Sequence, residues 1–208
     1  MELNMNVGWV RGVSSWQPVT KLSKGALPAL ENVAVWVGDG TVTAMATDRY
    51  RMVYSLTRDV PGAVDAGAQP FLIPMDTFTR FVAATKHLQN GNKLLLSFSD
   101  DEVSFDDNAG IRVVSPAIPG QYPKIQEWVA SWVPASTVKN EATWNMKLLA
   151  DIVKFCDPAH GLLTAAKRDS SWDVTAGDPD VHSGAFRFDQ GSPDTFAVWV
   201  MPVKRAVK

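Results

Sequence analysis

Apolar and polar positions alternate with period two through most of this chain, and the alternation gives way in three places to the three-and-four spacing of a helix. The middle repeat is the clearest. PMDTFTRFVAATKHL opens on Pro74 and predicts a helix whose apolar face is Met75, Phe78, Phe81, Val82 and Leu88. Asp76, Thr79, Arg80, Ala83, Lys86 and His87 make its polar face. LLLSFSDDEVSFDDNAGIRVVS then predicts three strands, turning at Asp100-Asp101 and at Asn108-Ala109-Gly110.

The repeat before it is built the same way. A short helix is predicted over 17–23, closed by Gly25 and Pro28. VAVWVGDGTVTAMATDRYRMVYSL follows as strands around a Gly38-Asp39-Gly40 turn. In the third repeat Asn145 caps a predicted helix, MKLLADIVKFC. Met146, Leu149, Ile152, Val153 and Cys156 form its apolar face, with Lys147, Ala150, Asp151 and Lys154 opposite. Strands are predicted at GLLTAAKR, SSWDVTAG, GAFRFDQ and TFAVWVMPV. Residues 59–69 and 128–136 read as the joints, the first rich in Gly, Pro and Ala and the second carrying Pro134. Three β-α-β-β-β modules of this kind predict an α+β fold, with antiparallel sheets outside and helices on the inner side.

Composition narrows the classes. The 208 residues are 46% hydrophobic and 20% charged, as in an ordinary globular protein. No apolar run approaches a bilayer span and no secretory signal opens the chain. The lone Cys156 excludes an internal disulfide, so the expected location is the cytoplasm, with no membrane partner. A net charge of −2 argues against a basic coat that grips nucleic acid directly, though not against a protein that surrounds it and touches it lightly.

Catalytic readings are weak. Asp100, Asp101, Glu102, Asp106 and Asp107 resemble the carboxylates of a metal-dependent nuclease, but they fall at hairpin turns, where Asp is favoured by local backbone bonding; solvated turns are expected. Cys156 and His160 are separated by the helix-breaking Pro158, so no metal site is expected, and Cys156 is assigned to the core. There is no nucleophile elbow and no phosphate-binding glycine loop. The eight Trp could stack bases, but Trp36 and Trp199 sit in strand patterns, where packing is the expected role. The strand ending in Val200, Met201, Pro202 and Val203, followed by basic residues, is the feature least like a plain core strand and points to an open apolar site.

Four segments, in order, resemble the bacterial sliding clamps, the beta subunit of DNA polymerase III. AMATDRYRMV is similar to the family's ATD-x-x-R-L stretch, and PFLIPMDTFTRF to its strand-to-helix entry into the next half-domain. IRVVSPAIPGQYPKIQEWV resembles the segment ending in its F-P-(D/K)-(Y/F) turn, and VWVMPVK its C-terminal Y-x-x-M-P-(M/V)-R. The TDRYR variant and the short length resemble a shortened phage-encoded clamp, which would place it in the host cytoplasm.

The resemblance implies the DNA-clamp fold and a processivity factor, not an enzyme, with no cofactor. Helices would line a hole around duplex DNA, contacted without regard to sequence by Lys21, Lys24, Arg80, Lys86, Lys147 and Lys154. A hydrophobic pocket would take short peptides of the polymerase and the clamp loader. Its positions carry over as Leu30, Thr47, Arg49, Tyr50, Arg51 and Met52, with Pro123 and Trp128 from the joint and Val200, Met201, Pro202 and Val203 from the last strand; Arg49 and Arg51 are expected at its edge. Glu127, Lys204 and Arg49 depart from the family, Arg49 standing where many members have a small residue.

The family resemblance divides the chain into a clamp domain over 1–133, with halves near 1–62 and 68–133, and a shortened second domain over 134–208. The 75 residues left after Val133 suffice for one half and a linker (208 − 133). Identical copies would join head to tail into a homo-oligomeric ring, a trimer in preference to a tetramer. The alternative is a clamp-derived decoy or adaptor that binds peptides without encircling DNA.

Overall fold

A computed structural model describes residues 1–21, 27–67, 69–99, 101–118, 122–123, 125–132, 146–152, 155, 173–176, 186–189 and 196–200. The chain opens with strand β1 (Glu2–Asn6) and helix α1 (Val7–Ser14), then the short helix α2 (Gln17–Thr20). A 3-10 turn over Pro28–Glu31 leads into β2 (Asn32–Gly38), β3 (Thr41–Thr47) and β4 (Arg51–Thr57). The pattern then repeats as β5 (Phe71–Pro74), α3 (Met75–Ala84), β6 (Lys93–Phe98), β7 (Glu102–Asp106) and β8 (Arg112–Pro116). Helices α4 (Ile125–Ala130) and α5 (Met146–Ile152) precede β9 (Asp173–Ala176), β10 (Phe186–Asp189) and β11 (Phe196–Val200).

The strands pair antiparallel in two sheets, ordered β1-β6-β7-β8 and β5-β2-β3-β4-β11-β10-β9 among the described residues. The first strand of each half pairs into the other half: β1 lies beside β6 and β5 beside β2. Neither half can then bury its core without the other. The joint between them is fastened to β1, where the Asn4 amide donates to the Pro61 carbonyl at 3.2 Å. Gly62 follows at φ +85, and a Cβ there would collide with the Glu2 carbonyl oxygen, so the close approach requires glycine.

One core fills the space between the sheets and the helices. Trp9, Val10 and Val13 of α1 and Phe78 and Phe81 of α3 meet Leu94, Leu96, Val103 and Phe105 there. The rings of Phe78 and Phe105 are 5.1 Å apart, and those of Trp9 and Phe78 are 5.8 Å apart. A second apolar layer covers the opposite face of the seven-stranded sheet. Ala34, Trp36, Met45, Met52, Leu72, Ala197 and Trp199 face Leu30, Tyr122 and the apolar side of α4. Coverage on both faces explains why β2 reads as a nearly continuous apolar run and why β3 is buried at nearly every position.

Several expectations are corrected. The leading helix is α1, not a helix over 17–23; α2 ends at Thr20, so Lys21 is an exposed residue past a helix end. Helix α3 stops at Ala84, where Thr85 turns its hydroxyl back to the Phe81 carbonyl, and Lys86 lies beyond it. Asp151 is 6% exposed and does not sit on a polar face. Asp107 is likewise buried, its Oδ1 accepting from the amides of Ala109 and Ile111 at 2.8 and 2.9 Å. The predicted strand GLLTAAKR, the cap Asn145, and Val153 and Cys156 lie outside the described residues.

Candidate functional site: an apolar cavity at the β4–β11 seam

Strand β11 pairs antiparallel with β4, from Phe196 opposite Ser55 to Val200 opposite Arg51. This register puts Trp199 across from Met52, joining the chain's last described strand to its first half. Side chains alternate along β11: Phe196, Val198 and Val200 point into the core, while Ala197 and Trp199 point to the outer layer.

Beside that seam the outer layer is incomplete. A cavity of about 280 Å³ opens between β4, the turn that precedes it and α4. It is lined by Thr47, Arg49, Tyr50, Arg51, Met52, Pro123, Ile125, Trp128 and Trp199. Trp128, Trp132 and Trp199 form a mutually packed trio, with ring centroids 5.6 to 6.0 Å apart. Tyr54 meets Trp199 edge-on at 6.1 Å, and Tyr122 meets Trp36 at 6.0 Å. Burial pushes the Tyr122 phenol well above its ordinary value, with a smaller opposing effect from the Thr47 backbone.

The turn over 47–51 is fixed from several directions. Thr47 donates its hydroxyl to the Arg51 carbonyl at 2.8 Å and accepts the Arg49 amide at 3.1 Å. Asp48 Oδ1 accepts the amides of Tyr50 and Arg51 at 2.9 and 2.6 Å. Arg51 is 6% exposed and fully engaged behind the cavity. Its Nε and Nη2 both donate to Asp48 Oδ2, at 2.9 and 2.7 Å, two charge-assisted bonds sharing one oxygen. Its Nη1 donates to Asp151 Oδ2 of α5 at 2.6 Å and its Nη2 to the Pro18 carbonyl at 2.9 Å. One guanidinium thereby ties β4 to α5 and to α2.

Seven of the expected pocket positions lie together on the lining of this cavity: Thr47, Arg49, Tyr50, Arg51, Met52, Pro123 and Trp128. Leu30 is not among the lining residues; it is buried in the outer layer with Met52. Val200 is also absent from the lining, because its position in the alternation turns it to the core. Arg51 lies behind the cavity rather than at a free edge. Met201, Pro202 and Val203 lie outside the described residues. Trp199 and Ile125 line the cavity without having been expected to; the alternation of β11 carried the signal for Trp199.

Of the residues expected on helices facing DNA, Arg80 lies on α3 and Lys147 on α5, while Lys21 and Lys86 lie past the ends of α2 and α3. Arg80 on α3 is exposed, pairs with Asp76 at 2.8 Å and reaches the Val114 carbonyl at 3.3 Å. Lys86 and Lys147 are exposed, Lys21 is exposed past α2, and Lys24 and Lys154 lie outside the described residues. Helix α1 offers only Arg11, which donates to Asn90 Oδ1 at 2.7 Å and to the Thr85 and Leu88 carbonyls at 2.9 Å, capping the end of α3. Among the described residues no group of three or more His, Cys, Asp or Glu could hold a metal ion. No helix among them is long and apolar enough to cross a membrane.

Swapped β-α-β-β-β halves whose terminal strand extends the first half's sheet, with an apolar cavity at that seam, define the DNA-clamp fold. No protein-family model matches the chain. It is 32% identical over 148 residues to the beta sliding clamp of Micrococcus luteus, an alignment covering 68% of this chain and 46% of that protein. The DNA polymerase III beta subunit of Thermotoga maritima superposes with a TM-score of 0.67 at 9% identity, covering 99% of this chain and 66% of that one. The DNA polymerase sliding clamp of Bacillus subtilis gives 0.63 at 12% identity, covering 99% and 65%. The chain is a sliding-clamp-type protein, spanning about half the length of its curated relative and just under two thirds of these structures.

Proposed function

We propose that the protein is a DNA polymerase processivity factor that encircles duplex DNA as a ring of identical copies and captures short peptides of its partners in the β4–β11 cavity. The observation that carries this is the cavity itself: an open, mostly apolar site with two Trp walls, built across a seam that joins distant parts of the chain. The similarity to a beta sliding clamp supports it. In this reading residues 1–133 form one clamp domain and 134–208 a shortened second one. The partners are a polymerase and a clamp loader, and the role is binding rather than catalysis. A peptide seated in so small an interface is expected to bind with about micromolar affinity.

Retention on DNA tests the ring. Loaded onto nicked circular DNA, the protein should remain bound through a high-salt wash and be lost when the circle is linearised. Native mass spectrometry should show a closed oligomer. A strict monomer at high micromolar concentration, with and without DNA, together with intact peptide binding, would instead select the decoy or adaptor reading. The net charge of −2 and the pairing of Arg80 with Asp76 are the features that favour that second reading.

A further inference from the structure

Asn90 is the only asparagine in the sequence that glycine follows. It is half-buried in the turn between α3 and β6. Its side-chain oxygen Oδ1 accepts from Arg11 Nη1 at 2.7 Å, and Arg11 Nη2 is itself fixed by the Thr85 and Leu88 carbonyls at 2.9 Å. A guanidinium on that oxygen stabilises the negative charge that develops there when a nucleophile adds to Cγ. The next nucleophile along the chain is the Gly91 amide nitrogen. Among the described residues it donates no hydrogen bond, and glycine has no side chain to obstruct its approach. The single Asp-Gly pair, Asp39-Gly40, differs on this point: the Gly40 amide is held by the Ala63 carbonyl at 3.0 Å.

We propose that Asn90 is a self-modifying site, converting through a cyclic imide to aspartyl and isoaspartyl forms under the Arg11 guanidinium. The Gly91 nitrogen gives its proton to water and bonds to Cγ; the Cγ–Nδ2 bond breaks and the nitrogen leaves as ammonia. Water then opens the imide. Addition at Cγ leaves an ordinary aspartate, and addition at the Asn90 carbonyl carbon leaves a backbone that runs through Cβ and Cγ. No electrons are gained or lost, and each event makes the chain one charge more negative.

The two products differ in what they do to α1. The Gly8 amide donates to the Asn90 carbonyl at 2.8 Å and the Val7 amide to the Asn92 carbonyl at 2.9 Å, so the turn caps the start of that helix. A Cβ on Gly8 would lie 3.1 Å from Asn90 Cβ, a close approach of helix and turn. Aspartate keeps this arrangement and pairs with Arg11. Isoaspartate lengthens the backbone at the contact, strips α1 of these bonds, and loosens the helix that packs Trp9 on Phe78.

The test follows the folded full chain in mildly alkaline buffer, with the free peptide HLQNGNK, residues 87–93, as reference. Tandem mass spectrometry of tryptic fragments reads the amide-to-carboxylate change at each asparagine, and an isoaspartyl methyltransferase labels the isoaspartyl form. Asn90 should convert in the folded chain at least as fast as in the peptide, with Asn92 and Asn108 intact and no isoaspartyl at Asp39. Slower conversion than in the peptide overturns the proposal, because the fold then protects the site. Arg11→Met should slow conversion about tenfold, short of what a fully buried oxyanion donor contributes. Faster conversion in that variant would mean that Arg11 only holds the turn, and overturns the role given to it. Arg11→Met also loses two bonds at the end of α3, so Gly91→Ala carries the test independently. A Cβ at Gly91 meets nothing within 4 Å and its backbone is not left-handed, so that variant keeps the fold while conversion should nearly stop. After incubation the parent's melting temperature should fall by about 4 °C, the scale of two lost backbone bonds in a chain of this size, while that of Gly91→Ala holds. An unchanged melt in a parent rich in isoaspartyl overturns the loosening of α1.

Discussion

Removing Arg51 should damage the fold far more than removing the carboxylate it meets on α5. The side chains of Arg51 and Asp151 are 6% and 8% exposed, so their 2.6 Å contact is buried. Replacing Asp151 by Asn removes one charge yet leaves the guanidinium its two bonds to Asp48 Oδ2 and its bond to the Pro18 carbonyl. Exchanging one charge-assisted bond for a neutral one costs about 1–2 kcal/mol. Replacing Arg51 by Met removes the cation from between two carboxylates whose side chains are 12% and 8% exposed. An uncompensated buried charge costs about 3–5 kcal/mol. With a urea m-value on the order of 2 kcal/mol/M, the midpoint should fall by about 2 M for Arg51→Met and less than 1 M for Asp151→Asn. The double variant Arg51→Met, Asp151→Leu removes one of the stranded carboxylates and should be more stable than Arg51→Met alone. Far-UV circular dichroism in urea reads all three. Equal losses in the two single variants, or a double variant no more stable than Arg51→Met, would refute the view that Arg51 is held by two carboxylates at once.

Three further outcomes follow from the same geometry. Phe105→Ala empties the centre of the aromatic contact with Phe78 and Phe81 and should cost about 3–5 kcal/mol, read as a drop in the denaturation midpoint. Burial pushes the Asp107 carboxyl up, but the amides of Ile111 and Ala109, the His87 charge and the Gly110 amide together outweigh it, and its pKa is lowered on folding. Its contribution is therefore fully present above the ordinary carboxylate range and lost as pH falls through that range and below, so Asp107→Asn should flatten the acid limb of the stability profile. Neutralising Arg80, Lys86, Lys147 and Lys154 together should weaken retention on circular DNA and flatten its salt dependence; unchanged retention would remove these residues from any DNA-facing role.

Strands were legible where one turn chemistry and one alternation agreed. The Gly38-Asp39-Gly40 turn and the Asn108-Ala109-Gly110 turn both sit between strands, with Gly40 at φ 67 and Gly110 at φ 116. Helix α1 was not legible because VGWVRGVS carries two Gly and three Val and is buried on nearly every side, so it has no polar stripe to give it a period. Its one local signal was Asn6, whose side chain accepts the Trp9 amide at 2.7 Å as an N-cap. Asp151 could not be placed because its partner is 100 residues away, and the helical wheel cannot anticipate a buried cation on another element. Leu30 and Val200 were placed by resemblance, which identifies a region; only the side-chain alternation decides which of its residues reach the cavity.

The cavity lies where two requirements of the fold conflict. The outer face of the seven-stranded sheet must be covered, and α4 does this with Ile125, Trp128 and Val129 against Trp36, Met52 and Trp199. Full coverage would close the space beside β4. Instead the space stays open, and Tyr50 stands at its mouth 62% exposed. An open apolar cavity is unfavourable for the free protein and is retained when a ligand will fill it. Its walls are also held rigid. Arg51, Asp48 and Thr47 fix the turn from behind, and the Trp trio fixes the opposite side. A site ordered before its ligand arrives loses little conformational entropy on binding. The same rigidity sets what each element contributes: Trp128, Trp199 and Met52 supply the apolar lining, and the Thr47–Arg51 turn holds the side of the cavity next to β4 in place.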